Sequence, residues 1–200
     1  SSHNLTAERQ FRYPAEYGCP KKGTATCTLT ACVSSLLSNE KTGIKVSGGL
    51  IGKVVNLGIN DVNNMGAVMA PACADTIYTY LQNAHETVKD YDLILTGDLS
   101  CIGSKILLDC FKKDGITLTN YNDAGNIIYH KNDKDVHAGG SGPACIGLVS
   151  MSLIMRKLEK GELKRVLLVG TGALYSPTLT FQKHTIPIVA HAIELEVNEK

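Results

Sequence analysis

The sequence predicts an α/β fold organised as a βαβαβαββ unit, a five-stranded mixed sheet with helices on both faces. Three observations predict it. Apolar runs of strand length alternate with apolar stripes at helical spacing from Ile44 onward. Val166-Leu167-Leu168-Val169 is an almost uninterrupted apolar run, as in the middle of a parallel sheet. The last apolar run follows it without a helix between, so it returns antiparallel. With 200 residues, 44% hydrophobic and 20% charged, the chain can bury one substantial core.

Taken in order, residues 1–25 are polar, carry Pro14 and Pro20 and show no sustained period, which predicts a connecting segment ahead of a domain over 26–200. The β-branched and small residues of 28–37 predict a leading strand, either an edge strand or one that merges with its neighbour. Asn39-Glu40-Lys41-Thr42-Gly43 predicts a turn. A strand over 44–55 follows, then a Gly- and Asn-rich loop, then a helix over 71–85 with Ile77, Leu81 and Ala84 on one face. A short strand over 91–96 ends at Gly97-Asp98, and Ile102, Ile106, Leu107, Cys110 and Phe111 form the inward stripe of a second helix. Residues 126–130 predict the third strand, 131–135 a charged loop, and Ile146, Val149, Leu153, Ile154 and Leu158 a third helix that Gly161 can close. The strand over 166–169, a Gly/Ser/Pro loop and a final strand over 186–196 complete the unit.

Composition excludes several functions. A net charge of +1 and no run of five like charges provide no field for nucleic acid. Seven cysteines, an odd number with no Cys-x-x-Cys pair, read as buried thiols in a reducing compartment and not as a disulfide framework or zinc site. No stretch approaches the roughly 20 apolar residues of a membrane span, and the amino terminus shows no signal pattern, so a soluble domain is expected. The first residues, Ser1-Ser2-His3-Asn4, lack an initiator Met and suggest a chain that begins partway through a longer polypeptide.

Gly139-Gly140-Ser141-Gly142 at a predicted helix start would point backbone N–H groups into a cleft, where the helix dipole favours a carboxylate. The competing reading is that these glycines only permit tight packing. No Lys follows at P-loop spacing and no Gly-x-Gly-x-x-Gly occurs, which argues against a nucleotide. Asn60, Asp61, Asn63 and Asn64 lack calcium-loop spacing and read as helix-capping residues. Cys32 and Cys73 read as small core residues, and His137 as a loop-packing histidine in preference to a displaced base.

Particular segments go beyond pattern. The runs Thr6-Ala7-Glu8-Arg9-Gln10-Phe11-Arg12-Tyr13-Pro14, Gly52-Lys53-Val54-Val55-Asn56-Leu57-Gly58-Ile59, Asn64-Met65-Gly66-Ala67-Val68-Met69-Ala70-Pro71-Ala72, Tyr91-Asp92-Leu93-Ile94-Leu95-Thr96-Gly97-Asp98-Leu99-Ser100, Ala138-Gly139-Gly140-Ser141-Gly142, and Gly170-Thr171-Gly172-Ala173-Leu174 with Ser176-Pro177 stand in this order. Together they resemble the carboxy-terminal half of the stage V sporulation protein AD family, within the thiolase-like superfamily.

The resemblance implies one half of a thiolase fold that binds dipicolinic acid (pyridine-2,6-dicarboxylate) or its calcium chelate and helps to load the developing spore. It implies work with other stage V sporulation proteins of the same operon, peripheral placement on the cytoplasmic face of the inner spore membrane, and packing on the chain's own amino-terminal half. It implies no cofactor and no metal, and leaves room for a homodimer through the face freed of that half.

Condensing enzymes of the superfamily place a His and an Asn on two loops of this half. Those loops read Gly97-Asp98-Leu99-Ser100 and Gly139-Gly140-Ser141-Gly142, without either residue, and no Cys stands between Cys145 and the end of the chain, where thiolases carry a Cys-Gly loop. A pseudoenzyme is therefore expected, with Ser1, Ser2, His3, Asp98, Gly139, Gly140 and Ser141 as ligand-binding candidates and no catalytic residue. The alternatives are an acyl-transferring enzyme that uses His137 with a Cys from the other half, and a scaffold for membrane partners.

Overall fold

In the computed structural model, which describes residues 2–3, 22–40, 43–129, 136–174 and 176–198, the alternating pattern folds into one five-stranded sheet flanked by two short ribbons. The elements run β1 (Ser2–His3), β2 (Cys27–Thr28), β3 (Ala31–Cys32), β4 (Ile44–Ile51), α1 (Met65–Ala84), β5 (Leu93–Thr96), α2 (Ser100–Lys113), β6 (Tyr121–Asp123), α3 (Ala124–Ile128) and β7 (Gly140–Ser141). There follow α4 (Ala144–Val149), continued by a π-helical turn (Ser150–Ile154) into α5 (Met155–Glu159), then β8 (Arg165–Ala173), α6 (Pro177–Phe181) and β9 (Ile188–Val197). The large sheet has the order β4-β9-β8-β5-β6. β5 is parallel to β6 and β8, and β9 is antiparallel to both β8 and β4. The expected five-stranded mixed sheet and the antiparallel last strand are both present.

Alternation along the strands splits the core in two, because successive side chains of a strand point to opposite faces. Ile94, Leu167, Val169, Ala190 and Ala192 pack under α1 and α2, while Leu95, Val166, Leu168 and Leu195 pack under the continuous helix over 144–159. Burying a side chain such as Leu167 or Phe111 contributes about 1.5–3 kcal/mol. α1 and α2 cross closely because glycines meet there: a Cβ on Gly66 would lie 2.5 Å from the Gly103 nitrogen.

Several boundaries differ from the sequence expectation for physical reasons. The third strand is Tyr121–Asp123, not 126–130, because the Asp123 side chain accepts from the Asn126 N–H and caps α3 over that stretch. Helix α1 starts at Met65, capped by Asn64, and runs through Pro71, which had marked its start. The leading strand over 28–37 reduces to β2 and β3, with Leu36 and Leu37 exposed. Cys32 is exposed, so it is no core residue, and of the described cysteines only Cys73 and Cys145 are buried. Gly161 does close the third helix, at φ +70°. The charged loop over 131–135 lies outside the described residues.

The face that carries the 144–159 helix is covered over β5 and β8 but not over the β4 and β9 edge. Val46, Ile193 and Ile51, which share that face by register with Leu195, Gly49 and His191, are 53%, 47% and 88% exposed. Leu148, Met151 and Leu153 on the neighbouring helix are also exposed. No helix among the described residues is long and apolar enough to cross a membrane.

Candidate functional site

The carboxyl ends of β5, β6 and β8 converge on two loops, and two buried aspartates tie them together. After β5 the chain turns sharply through Gly97, Asp98 and Leu99 into α2, and Ser100 takes φ +56°. A non-glycine residue seldom adopts that conformation unless its surroundings impose it. Here Asp123, fully buried at the end of β6, imposes it. One carboxylate oxygen accepts from the Ser100 N–H at 2.9 Å and the Asn126 N–H at 3.3 Å. The other accepts from the Leu99 N–H at 2.9 Å and the Thr96 hydroxyl at 2.6 Å. Burial pushes Asp123 up to about 6, and the Asp98 charge adds to it, while the hydrogen bonds from Thr96, Ser100 and Leu99 oppose the rise.

Asp98, also buried, bridges the two loops. It accepts the Gly142 N–H at 2.8 Å and a short hydrogen bond from the Thr171 hydroxyl, which joins the β5–α2 turn to the loop before α4 and to the end of β8. Gly139 lies at φ +124°, gives its N–H to Val136 and accepts from the Cys27 N–H at 2.8 Å. Gly140 and Ser141 pair in parallel with Cys27 and Thr28 as β7 and β2. The Gly140 carbonyl accepts the Ser100 hydroxyl at 2.5 Å, and the Ser141 hydroxyl meets that of Thr28 at 3.3 Å. Gly125 is glycine for a packing reason, since a Cβ there would stand 2.3 Å from the Gly140 oxygen.

The structure thus brings Asp98, Gly139, Gly140 and Ser141 together. The N–H groups of Gly139 and Gly142, expected to face the cleft unpaired, are instead bonded within the chain. Ser1 lies outside the described residues. Ser2 and His3 form β1, which pairs antiparallel with Cys32 and Ala31. His137 is exposed on the turn before Gly139, at φ +53°. Sequence reasoning missed Asp123, Ser100, Thr96 and Thr171. Only Asp123 left a signal, as an acidic residue directly before the run Ala124-Gly125-Asn126-Ile127-Ile128 that it caps.

Neither buried thiol is an activated nucleophile. Burial pushes Cys73 and Cys145 well above the ordinary thiol range, and Asp98 and Asp123 push them further. Among the described residues no group of three His, Cys, Asp or Glu side chains is placed to hold a metal ion.

A cavity of about 380 Å³ opens elsewhere, beside the amino end of β8, lined in part by Gly48, Tyr80, Glu86, Arg165 and Glu194. Its charges are mutually satisfied. Arg165 donates to Glu194 at 2.7 and 3.1 Å and to Glu86 at 2.7 Å, and Tyr80 donates to Glu194 at 2.7 Å. Burial alone would raise Glu194, but the bonds from Arg165 and Tyr80 outweigh it and hold the carboxyl below its usual range. This is a structural ion-pair network.

The model of the stage V sporulation protein AD family matches residues 1–196. The chain is 50% identical over 197 residues to "Stage V sporulation protein AD" of Bacillus subtilis (strain 168), covering 98% of this chain and 58% of that protein. It therefore spans little more than half the length of the relative. Among solved structures it is similar to the tetronic acid condensing enzyme AbyA1, with 15% identity and a TM-score of 0.46 over 79% of this chain and 49% of that one. It is also similar to 3-oxoacyl-[acyl-carrier-protein] synthase III from Aquifex aeolicus VF5, with 10% identity and a TM-score of 0.42 over 80% of this chain and 46% of that one. At those TM-scores neither structure bears on what this chain does.

Proposed function

Because this chain belongs to the stage V sporulation protein AD family, we propose that it is the carboxy-terminal, thiolase-like half of a protein that binds dipicolinic acid or its calcium chelate and takes part in its uptake into the developing spore, without catalysing acyl transfer. The observation that carries the reading is the make-up of the two converging loops. Where a condensing enzyme would present His and Asn, this chain has Gly97-Asp98 and Gly139-Gly140, and Asp98 is already committed to Gly142 and Thr171. A preformed, rigid pocket suits a small planar dicarboxylate, which would be held by charge-assisted hydrogen bonds and ring stacking. Ser141, Gly140 and Gly139 are this half's candidates for contacting it, with Ser1, Ser2 and His3 as further candidates.

Cationic partners for the carboxylates would come from the amino-terminal half. The uncovered apolar surface around Val46, Ile51, Ile193, Leu148 and Met151 supports packing on that half. Partner proteins of the same operon would place the assembly on the cytoplasmic face of the inner spore membrane.

Two measurements on the full-length protein test the reading. Equilibrium dialysis against dipicolinate should show saturable binding, and intact mass after incubation with acyl thioesters should show no adduct. A covalent acyl adduct would establish the enzyme reading instead. Retention of the membrane partners without any dipicolinate binding would favour a scaffold.

A further inference from the structure

Among the described residues, four that are not glycine take a positive φ: His85, Ser100, His137 and Lys183. Three have a local cause. His85 and Lys183 follow the last turns of α1 and α6, where a left-handed residue commonly ends a helix, and Ser100 is held by Asp123. His137, at φ +53°, follows no helix among the described residues. It takes the second place of a tight turn that the Gly139 N–H closes on the Val136 carbonyl at 3.2 Å, while Ala138, in the third place, keeps a negative φ. Glycine is the usual residue at such a second place, because it has no Cβ to clash. A histidine there costs folding free energy, and folding gains nothing visible in return: the residue is exposed, and its side chain makes no hydrogen bond or ion pair among the described residues.

The surroundings hold His137 outward. Val136 and Ala138 on either side are buried, the Ala138 N–H donates to the Ala25 carbonyl at 2.9 Å, and the Ala138 carbonyl accepts the Cys101 N–H at 2.9 Å. Cys101 directly follows the β5–α2 turn and Gly139 opens the loop before α4, so the turn that presents His137 is fastened to both loops of the candidate site. We propose that His137 is a ligand-contacting residue of that site, giving an imidazole N–H to a carboxylate of the bound molecule. Imidazole carries such a donor in its neutral form as well as its charged form. The identity of the ligand as a dicarboxylate rests on the function proposed above; that the ring serves something other than folding does not.

Two substitutions in the full-length protein separate contact from folding. His137→Gly removes the ring and relieves the backbone, and His137→Asn keeps a residue that tolerates the left-handed conformation but is too short to replace the imidazole. Urea unfolding of the ligand-free protein reads the strain, and a calorimetric titration with dipicolinate reads the contact. The unfolding midpoint of His137→Gly should stand at or above that of the wild type, and that of His137→Asn close to it. Dipicolinate affinity should fall by at least about tenfold in both, the loss expected for one hydrogen bond to a charged group. A midpoint that drops in His137→Gly assigns the ring to folding and overturns the proposal, as does wild-type affinity in both variants. An undiminished midpoint in His137→Gly, with no dipicolinate binding by the wild type, refutes the dicarboxylate reading and supports a role for His137 outside folding.

Discussion

Replacing Gly125 by alanine tests whether the loop before α4 is wedged as described. A Cβ at Gly125 would lie 2.3 Å from the Gly140 oxygen, 3.1 Å from its carbonyl carbon and 3.0 Å from an Asp123 oxygen. Ordinary contact begins near 3.4 Å, so the Gly140 carbonyl has to retreat by about 1 Å, and it is backbone, without a flexible end to swing away. Overpacking of this kind costs about 1–3 kcal/mol. The retreat also breaks the bond from the Ser100 hydroxyl, worth about 0.5–1.5 kcal/mol. The sum is about 1.5–4.5 kcal/mol, a large part of the stability of a typical domain. Equilibrium urea unfolding of the full-length protein measures it through the midpoint at constant slope. Gly23→Ala, where an added Cβ meets nothing within 4 Å, is the neutral reference. A loss below about 0.5 kcal/mol for Gly125→Ala, the range of an ordinary surface substitution, would refute the close contact between α3 and the loop.

Other perturbations have equally definite outcomes. Arg165→Met strands Glu194 and Glu86 and should cost about 2–4 kcal/mol, while adding Glu194→Gln to it should recover part of the loss, read as coupling in a double-mutant cycle of urea unfolding. Asp98→Ala removes the acceptor shared by Gly142 and Thr171 and should cost about 1.5–3 kcal/mol, with weaker dipicolinate binding in the same preparation. Asp123 has a folded-state value of about 6 against an ordinary 3.8, so its contribution to stability is complete below 3.8 and lost as the pH rises through 6. That difference of about 2 units corresponds to about 3 kcal/mol, and Asp123→Asn should remove this pH dependence of the unfolding midpoint. Gly170 has open space where its Cβ would point. Gly170→Leu should therefore leave the unfolding midpoint of the 200-residue chain unchanged, yet weaken its retention of the separately expressed amino-terminal half on a column.

The sheet was legible in the sequence because its buried strands are short apolar runs and the helices between them carry continuous stripes. Ile94-Leu95 and Val166–Val169 gave up both their strand and their place in the core. Residues 126–130 misled because Ile127 and Ile128 have strand propensity, whereas a cap from Asp123 and burial under the neighbouring helix decide the local conformation. Pro71 misled in the same way: it favours a helix start, but packing against α2 and β9 carries α1 through it. The site was legible only as loops. Gly97-Asp98 and Gly139–Gly142 announced turns at strand ends, but nothing local shows that Ser100 adopts a left-handed conformation or that Asp98 bonds to Gly142, forty-four positions away. The Arg165, Glu194 and Glu86 network was invisible for the same reason, since Arg165 and Glu194 meet across neighbouring strands and Glu86 reaches them from the turn after α1.

The most direct test of the central claim is a calorimetric titration of the full-length protein with dipicolinic acid and with its calcium chelate, repeated with the 200-residue chain alone. Saturable binding by the full-length protein and weak or no binding by the chain are expected of a pocket shared between two halves. No binding of either ligand by the full-length protein would contradict it.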